Sequence, residues 1–541
     1  MKAICQTGSF EAFSMYNAIY VDKTELIYSL VSLPNRIFIS RPRRFGKSLT
    51  LDTIATLFET GVEPYFKGTW IYDKWTEPTY PVLRLNFLNF DKNSLEKFNN
   101  KLNSKITEFA ELNHVTSYKE KEEAEDSIDH LLEQLRLENR QIVILIDEYD
   151  CQMTANINNE TLYKQFQEKI KSFYANIKDK FAIKFLGITG VTRLKDVAIF
   201  SVGSDINDIT NDSAYSQMIG FTRDEIKKYY IDYLKLAASY ENKCRVEEVT
   251  DTQIESMLDM MAQNYDGYCF DEFYKKKVFS TWSVNKFFQS VVSNKFVYFG
   301  EYWYDNGGLP SILVNYLKTH ELNIFEYLDK DKFLKVSSDD FKNPTALTTI
   351  NQNVLMCQTG YLTLRSDLNK TSTVALGIPN GEIYKALNRL LANNIFKGNT
   401  DITDDYGRSL LEVGTVDDII NLFNSALNSV SYDNYPIVSE SSVQNMLKLY
   451  LLGAHQKVLS EVHEAKGRAD LVVNTDNRRI VFEFKYAKNE TEAKSKLLDA
   501  VEQIKTRDYG NIVPKKTELL RIAAVFNADP KVRAFTEYQK V

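Results

Sequence analysis

Gly46, Lys47 and Ser48 form a short sequence that can hold a phosphate group. A phosphate-binding loop needs backbone N–H groups that face the phosphates, a lysine for charge and a Ser or Thr hydroxyl for magnesium. The first glycine of the usual GxxxxGK[ST] motif would occupy position 41, where this chain has Arg41. The sequence therefore predicts nucleotide binding through an altered loop, held by Arg44, Phe45, Gly46, Lys47, Ser48 and Leu49.

An acidic pair, Asp147 and Glu148, follows the apolar residues 142–146. This is the form of a Walker B strand, in which the first acid holds magnesium and the second orients or activates the attacking water. We expect Asp147 and Ser48 to share the magnesium of a bound ATP. The alternative is a strand end whose acids simply face solvent, but the order of the two motifs along the chain favours an ATPase.

The next apolar run, residues 182–188, ends in a threonine-rich turn. Thr189 or Thr192 is placed to sense the nucleotide. Arg193 is interpreted as a surface side chain, with a role as an arginine finger as the alternative.

A second group of charged residues lies near the C-terminus. The period of two in a strand places Glu483 and Lys485 on one face, and a hairpin would bring Asp470 close to Glu483. With Glu461, three carboxylates could hold one or two magnesium ions beside Lys485. Gln503, on the following helix, could orient the lysine or the substrate. The alternative is an exposed polar hairpin face on which Glu483 pairs with Lys485.

The elements that must position these residues alternate between strands and helices. Apolar runs at 36–40, 81–87, 142–146 and 182–188 predict a parallel α/β sheet with its site along the carboxyl edge. Aromatic, helical patterns follow from residue 220. A compact α/β pattern returns near residue 431, with helices at 441–453 and 490–506 and strands at 469–473, 479–484 and 519–526. We therefore expect three parts, spanning 1–219, 220–430 and 431–541.

Composition excludes several classes of protein. The 541 residues are 44% hydrophobic and 26% charged, which is typical of globular proteins. No apolar run approaches 18 residues and the five cysteines are scattered, so we expect a cytoplasmic protein with free thiols. The whole chain carries a net charge of −7, but residues 455–541 hold 17 Lys and Arg against 13 Asp and Glu. That tail is the region that would attract a polyanion.

These motifs together resemble bacterial AAA-ATPase-like proteins that carry a C-terminal PD-(D/E)XK nuclease domain. The matching segments are 41–49 (RPRRFGKSL), 145–150 (LIDEYD), 190–193 (GVTR), 265–268 (YDGY), 467–470 (GRAD), 483–485 (EFK) and 503–504 with Tyr509. The resemblance implies a P-loop NTPase-like parallel sheet, a mainly helical middle region and a C-terminal nuclease-like α/β domain. Arg41 in the first glycine position fits this family's own pattern.

The leading hypothesis is an ATP-regulated, magnesium-dependent nuclease that acts on DNA. One alternative is a nucleotide-binding switch or scaffold that binds nucleic acid or protein without cutting. Another is ATP binding without hydrolysis. Manganese could replace magnesium, since both metals suit oxygen ligands. Oligomerisation is possible, and no membrane association is expected.

Overall fold

The computed structural model describes most of the chain. The residues not described are 34, 178–179, 195–205, 306–310, 318–323, 345, 397–405, 455–456, 465–466 and 511–517. The side chains of residues 304–305, 311, 314, 317, 406, 457 and 459–464 are likewise not described.

The N-terminal part is built on a five-stranded parallel sheet of strand order β2-β3-β4-β1-β5. The predicted P-loop NTPase-like parallel sheet is thus confirmed. In chain order its elements are α1 (Glu11–Met15), α2 (Thr24–Val31), β1 (Asn35–Ser40), α3 (Lys47–Thr60), β2 (Val82–Asn86), α4 (Leu95–Leu112), α5 (Ala124–Leu137), β3 (Ile142–Asp147), α6 (Cys151–Ala155), α7 (Glu160–Ile177), β4 (Ile183–Gly190) and β5 (Asn207–Asp208).

Burial explains why this sheet forms from these residues. Every residue of β3 and of β4 is buried, which is usual for central parallel strands covered by helices on both faces. Helix α5 packs against α4 and α7 and buries a stripe at helical spacing, comprising Ile128, Leu131, Leu132 and Leu135. The strands are parallel, so the ends of β1, β2, β3 and β4 meet at one edge of the sheet.

Helices dominate the next part of the chain, as predicted, around a small antiparallel sheet of order β6-β8-β7 that the sequence did not predict. Capping boxes begin α8 and α10, where Thr222 and Thr250 accept from the third helical N–H. The elements are α8 (Arg223–Tyr229), α9 (Ile231–Asn242), α10 (Asp251–Tyr265), α11 (Thr281–Asn294), α12 (Tyr302–Asp305), α13 (Ser311–Leu317), β6 (Leu334–Ser337), α14 (Ser338–Lys342), α15 (Gln352–Gln358), β7 (Thr363–Leu364) and β8 (Thr373–Gly377).

The C-terminal part contains a mixed sheet of order β13-β12-β11-β10-β9, in which β11 and β12 are parallel and the other neighbours antiparallel. All five predicted elements occur in it. The elements are α16 (Gly381–Ile395), α17 (Tyr406–Val413), α18 (Val416–Asn428), α19 (Glu440–Gly453), β9 (Lys457–Glu464), β10 (Gly467–Asn474), β11 (Arg478–Ala487), α20 (Glu490–Arg507), β12 (Glu518–Asn527) and β13 (Ala534–Lys540).

The chain divides into two compact units. The first unit comprises Met1–His320 and Phe333–Ile383, and the second comprises Glu321–Lys332 and Tyr384–Val541. The boundary near residue 383 falls inside the predicted middle region, and the division into three parts stays a prediction. In the described ranges, no helix has the length and apolar character needed to cross a membrane.

Candidate functional site

The turn between β1 and α3 has the backbone shape of a phosphate-binding loop. Gly46 has a φ of 107° and Arg44 a φ of 67°, so two of its residues occupy the left-handed region. Helix α3 begins immediately afterwards at Lys47, so its first N–H groups lie at the end of the turn. The turn therefore meets the backbone requirement for binding an anion at a helix N-terminus.

Lys47 fills the centre of this loop and is only 4% exposed. Its Nζ donates to the carbonyl oxygens of Arg41, at 3.0 Å, and Pro42, at 3.2 Å. It also lies 3.6 Å from Oε1 of Glu148. The Lys47 ammonium is therefore held by polar contacts that a bound phosphate group could replace.

Asp147 connects the ends of three strands and the start of α3. Its Oδ2 accepts from the Ser48 hydroxyl at 2.6 Å and lies 3.5 Å from the amide nitrogen of Asn86 at the end of β2. Its Oδ1 accepts from the Thr189 hydroxyl on β4. The structure thus brings together both predicted magnesium ligands and one of the two predicted sensor threonines.

Glu148 adopts an unusual backbone conformation, with a φ of 54°, directly after β3. Burial raises the pKa of its carboxyl above the ordinary value, Lys47 opposes that effect, and the nearby Asp150 and Asp147 charges add to it. A carboxylate that holds a proton more readily than usual is suited to accept one from a water molecule.

Arg41, in the position of the missing glycine, is a buried structural residue. Its guanidinium donates to the carbonyls of Ser40, at 2.9 Å, and Thr210, at 2.6 Å, and lies 4.1 Å from the centre of the Phe270 ring. Burial lowers the pKa of Arg41 to about 9, against the effect of Asp208. The side chain that replaces glycine is therefore bonded to the sheet edge, and only its backbone carbonyl contacts Lys47.

Thr192 and Arg193 have roles other than those the sequence suggested. Thr192 donates its hydroxyl to Asp150 at 2.6 Å. The interpretation of Arg193 as a surface side chain is wrong, because it is only 24% exposed, pairs with Asp208 and donates to the carbonyl of Lys342. Both of these contacts of the Arg193 side chain are with residues of the first unit.

A cavity of about 540 Å³ opens beside the loop, within the size range of small-molecule sites. Residues 44–49 and Glu148 all line it. The Arg44 guanidinium lies 4.3 Å from the Trp282 ring, and the hydroxyl of Thr281 donates to the Arg44 carbonyl at 3.1 Å. Trp303 donates its indole N–H to the Arg43 carbonyl at 3.3 Å. Helices α11 and α12 therefore support the loop from one side.

The second group of charged residues lies on β10 and β11 of the C-terminal sheet. Glu483 is 0% exposed, and its Oε1 accepts from Lys485 Nζ at 2.8 Å. Its Oε2 is buried and has no hydrogen-bond partner among the described atoms. Asp470 accepts from the backbone N–H of Phe484 at 2.8 Å. The predicted association of Asp470, Glu483 and Lys485 is present in the structure.

Both carboxyls hold protons unusually well. Burial, and after it the Asp470 charge, raise the pKa of Glu483 to about 7, although Lys485 opposes both effects. Burial also raises the pKa of Asp470 to about 6, against the hydrogen bond from Phe484. A nearby cation would stabilise the charged form of both groups.

Glu440 is a member of this cluster that the sequence analysis missed. It is the first residue of α19, and its Oε1 lies 3.5 Å from Lys485 Nζ. Its charge contributes to the raised pKa values of Asp470 and Glu483. Its position at the start of the helix before the predicted strands could have marked Glu440 as a site residue. An acid in the first helical turn is common, however, because it interacts favourably with the helix dipole.

The structure does not place Gln503 beside Lys485, as the sequence suggested. Its described contact is with the hydroxyl of Tyr509, at 3.3 Å, and Arg507 donates to the same hydroxyl at 2.9 Å. The prediction that Gln503 orients the lysine has no described contact to support it. Arg507 lies near enough to Asp470 and Glu483 for their charges to raise its pKa, after the larger effect of Tyr509.

Glu461 belongs to β9, where the sequence had placed it after a helix. The register sets Ala469 opposite Val462 and Leu471 opposite Ser460, so the backbone of Glu461 lies across from Asp470. Its side chain lies outside the described residues, and its role as a metal ligand stays a prediction.

The donors present suit a hard divalent cation. Among the described side chains, no group of three His, Cys, Asp or Glu residues is already arranged to hold a metal ion. The carboxylates of Asp470, Glu483 and Glu440 are nevertheless the oxygen donors that magnesium prefers, and Oε2 of Glu483 accepts no hydrogen bond from any described residue. We conclude that the residues present fit such an ion in their chemistry.

Two segments of the chain match known protein families. Residues 5–200 match the family described as predicted AAA-ATPase, and residues 438–535 match the PD-(D/E)XK nuclease superfamily. A protein of Azotobacter chroococcum mcd 1, described as an uncharacterized protein in the vnfD 5′ region, is 25% identical over 529 residues, which cover 95% of this chain and 93% of that protein. The sequence-based resemblance is thus confirmed for both segments.

Two solved structures align with low similarity. The crystal structure of Cdc6p from Pyrobaculum aerophilum gives a TM-score of 0.26 at 11% identity, over 68% of this chain and 92% of that one. The Aeropyrum pernix ORC2 protein, in ADPNP–ADP complexes, gives a TM-score of 0.24 at 10% identity, over 71% and 94%. Alignments this distant carry no argument about the present chain.

Proposed function

We propose that this chain, in which a predicted AAA-ATPase segment is combined with a PD-(D/E)XK nuclease superfamily segment, hydrolyses ATP in its first unit and cuts DNA in its second. The observation that carries the nuclease proposal is the convergence of Asp470, Glu483 and Glu440 on Lys485. The observation that carries the ATPase proposal is the joint placement of Lys47, Asp147 and Glu148 beside a cavity of nucleotide size.

Each residue of the first site has a proposed task. Lys47 exchanges its two carbonyl contacts for the phosphates, while Ser48 and Asp147 hold the magnesium that accompanies ATP. Glu148, as a carboxylate, accepts a proton from the attacking water, since burial raises its pKa and makes it a stronger base than an exposed carboxylate. Arg44 lines the cavity and offers further positive charge to the nucleotide.

At the second site the carboxylates of Asp470 and Glu483, with Glu440 or Glu461, would hold magnesium or manganese. Such an ion lowers the pKa of a bound water and offsets negative charge on the phosphate. Lys485, fixed by Glu483 at 2.8 Å, donates hydrogen bonds to the phosphodiester or to the attacking water. Gln503 and Arg507, joined through Tyr509, border the substrate.

The nuclease is tested by incubating the full chain with linear and circular DNA and magnesium, with and without ATP. We expect cutting that falls at least a hundredfold in the double variant Glu483→Ala, Lys485→Ala. The matched control is Glu490→Ala, Lys494→Ala, which removes an exposed ion pair of the same charge from α20. Cutting that survives in the first variant at the control's rate would refute this site.

The ATPase is tested by phosphate release and by equilibrium binding of ATP. We expect Lys47→Ala to lose both, because the loop then lacks the buried ammonium that the proposal sets against the phosphates. The Glu148→Gln variant should still bind ATP, but its rate of ATP hydrolysis should fall at least tenfold. Exposed Lys67→Ala is the control. ATP binding without phosphate release in the unaltered chain would favour a nucleotide-binding switch, and a chain that also leaves DNA and RNA intact would fit the scaffold alternative.

A further inference from the structure

A basic hairpin, residues 268–278, connects α10 and α11 in the first unit. Its two arms meet in a single β-bridge, where the N–H of Val278 donates to the carbonyl of Tyr268 at 2.9 Å. At its tip the N–H of Tyr274 donates to the carbonyl of Asp271 at 2.9 Å, which closes a turn. The basic hairpin lies outside both segments that match known families.

The acidic residue at this tip is used internally. The Asp271 carboxylate is fully buried and accepts from the backbone N–H groups of Phe273, at 3.1 Å, and of Lys275 and Lys276, both at 2.9 Å. These three bonds fix the backbone on both sides of the tip. The neighbouring Glu272 accepts from the Asn369 amide at 3.1 Å. The shape of the tip is therefore set before any partner binds.

The basic and aromatic side chains face outward from this fixed backbone. Lys275 and Lys277 are exposed, and within the described part of the chain neither has a carboxylate oxygen within 4.0 Å. Lys275 Nζ lies 5.8 Å from the centre of the Phe273 ring, and Lys277 Nζ lies 5.1 Å from that of Tyr274. Phe273 is 42% exposed. The hairpin thus presents two adjacent pairs of a cation and an aromatic ring.

Lys276 differs from its two neighbours. Its Nζ donates to the Ser213 carbonyl at 2.7 Å, so this lysine anchors the basic hairpin to the body of the first unit. The two flanking lysines are left to meet a partner.

We propose that the basic hairpin binds single-stranded nucleic acid, with Lys275 and Lys277 against phosphates and with Phe273 and Tyr274 stacked on bases. Alternation of cations and aromatic rings suits an unpaired strand, because every base offers a face for stacking and every linkage carries a charge. The choice of a nucleic acid as partner rests on the proposed nuclease function. The chain as a whole carries a net charge of −7, so contact with a polyanion needs a local basic surface; the basic hairpin offers one, in addition to residues 455–541.

The test measures fluorescence anisotropy of a labelled 20-nucleotide oligothymidylate with the full chain in EDTA, where no metal-dependent cutting occurs. Lys275→Gln, Lys277→Gln should weaken binding and reduce the slope of log affinity against log salt by about 1.4, since two phosphate contacts are lost. Phe273→Ala should weaken it about fivefold or more. The control, Lys101→Gln, Lys171→Gln, removes two exposed lysines from α4 and α7.

Thermal unfolding first shows whether each variant is folded, so that a loss of binding is not caused by a loss of structure. Affinity and salt slope equal to those of the control would overturn the proposal. An equal loss from Phe273→Ala on single-stranded and duplex DNA would overturn the stacking. DNA cutting is measured separately, with magnesium present. If the unaltered chain cuts DNA and the hairpin variants bind the oligonucleotide normally, this inference is refuted and the proposed nuclease function is not. A chain that binds through the hairpin without cutting refutes only the nuclease.

Discussion

At the scale of single residues, Glu483 is the most constrained acid of the second site. One of its carboxylate oxygens accepts from Lys485, and the other is buried with no hydrogen-bond partner in the part of the chain that the structure describes. An oxygen in that position is costly unless a proton or a cation reaches it. The same burial raises the pKa values of Glu483 and Asp470, because it disfavours their charged forms.

Magnesium binding should therefore depend on pH. The ion must displace protons from groups with pKa values of about 7 and about 6, so affinity should rise severalfold as the pH increases from 5.5 to 8. Isothermal titration of the nucleotide-free full chain with magnesium measures this. Glu490→Ala should keep the dependence and Glu483→Ala should lose most of it. An affinity that stays constant over this range would contradict the assignment.

The site residues that could be predicted from the sequence are those that lie within a recognisable local pattern of strand and helix. Lys47 and Ser48 follow a strand and precede a helix, and Glu483 and Lys485 are related by the period of a strand. Glu440 was missed because it lies 30 residues before Asp470, and only the packing of α19 against the sheet brings them together. No local pattern records such a contact.

At the scale of elements, the edge formed by β3 and β4 leaves no space at Gly190. A Cβ added there would lie 2.4 Å from Cδ1 of Tyr149 and 2.8 Å from Oδ1 of Asp150. Tyr149 is fully buried, so its ring has little room to move. The close approach holds the acidic turn after β3 against the end of β4.

Gly190→Ala should destabilise the first unit by about 1–3 kcal/mol, because it overpacks a buried ring. Thermal or denaturant unfolding of the full chain measures the loss. Tyr149→Leu makes space and has its own cost, but the double variant should lose less than the sum of the two single losses. Strict additivity would show that the ring is not what excludes the alanine.

Strands with a strong apolar pattern were predicted, and polar ones were not. The run at 142–146 is entirely apolar and appears as β3. In contrast β13 is a polar edge strand with Phe535 as its fully buried apolar residue, so periodicity alone gave little sign of it. The apolar residues of β9, Val458, Leu459 and Val462, do not alternate with polar ones, so periodicity gave no sign of this strand either.

At the scale of the whole molecule, the chain carries two candidate hydrolytic sites in two compact units. Nucleotide-dependent switching elsewhere operates through segments that contact the γ-phosphate. Here the loop that would hold the phosphates is also bonded to α11 and α12 through Thr281 and Trp303. If this loop holds a nucleotide as proposed, we expect a change of nucleotide to act directly on α11 and α12.

We expect the rate of DNA cutting to differ severalfold between ATP, ADP and no nucleotide. The difference should vanish in Lys47→Ala and persist in Lys67→Ala. Cutting of a labelled duplex at saturating magnesium measures it. Equal rates under all three conditions in the unaltered chain would show that the two sites act independently.

The bonds from Thr281 and Trp303 to the carbonyls of Arg44 and Arg43 also bear on how such a chain can evolve. Gly360 adds to this support, since a Cβ there would lie 2.8 Å from Pro42. Recombination that transferred residues 1–200 to an unrelated neighbour would leave these carbonyls and the ring of Phe45 without their native partners. We therefore expect the loop at residues 41–49 and the helices beside it to be inherited together.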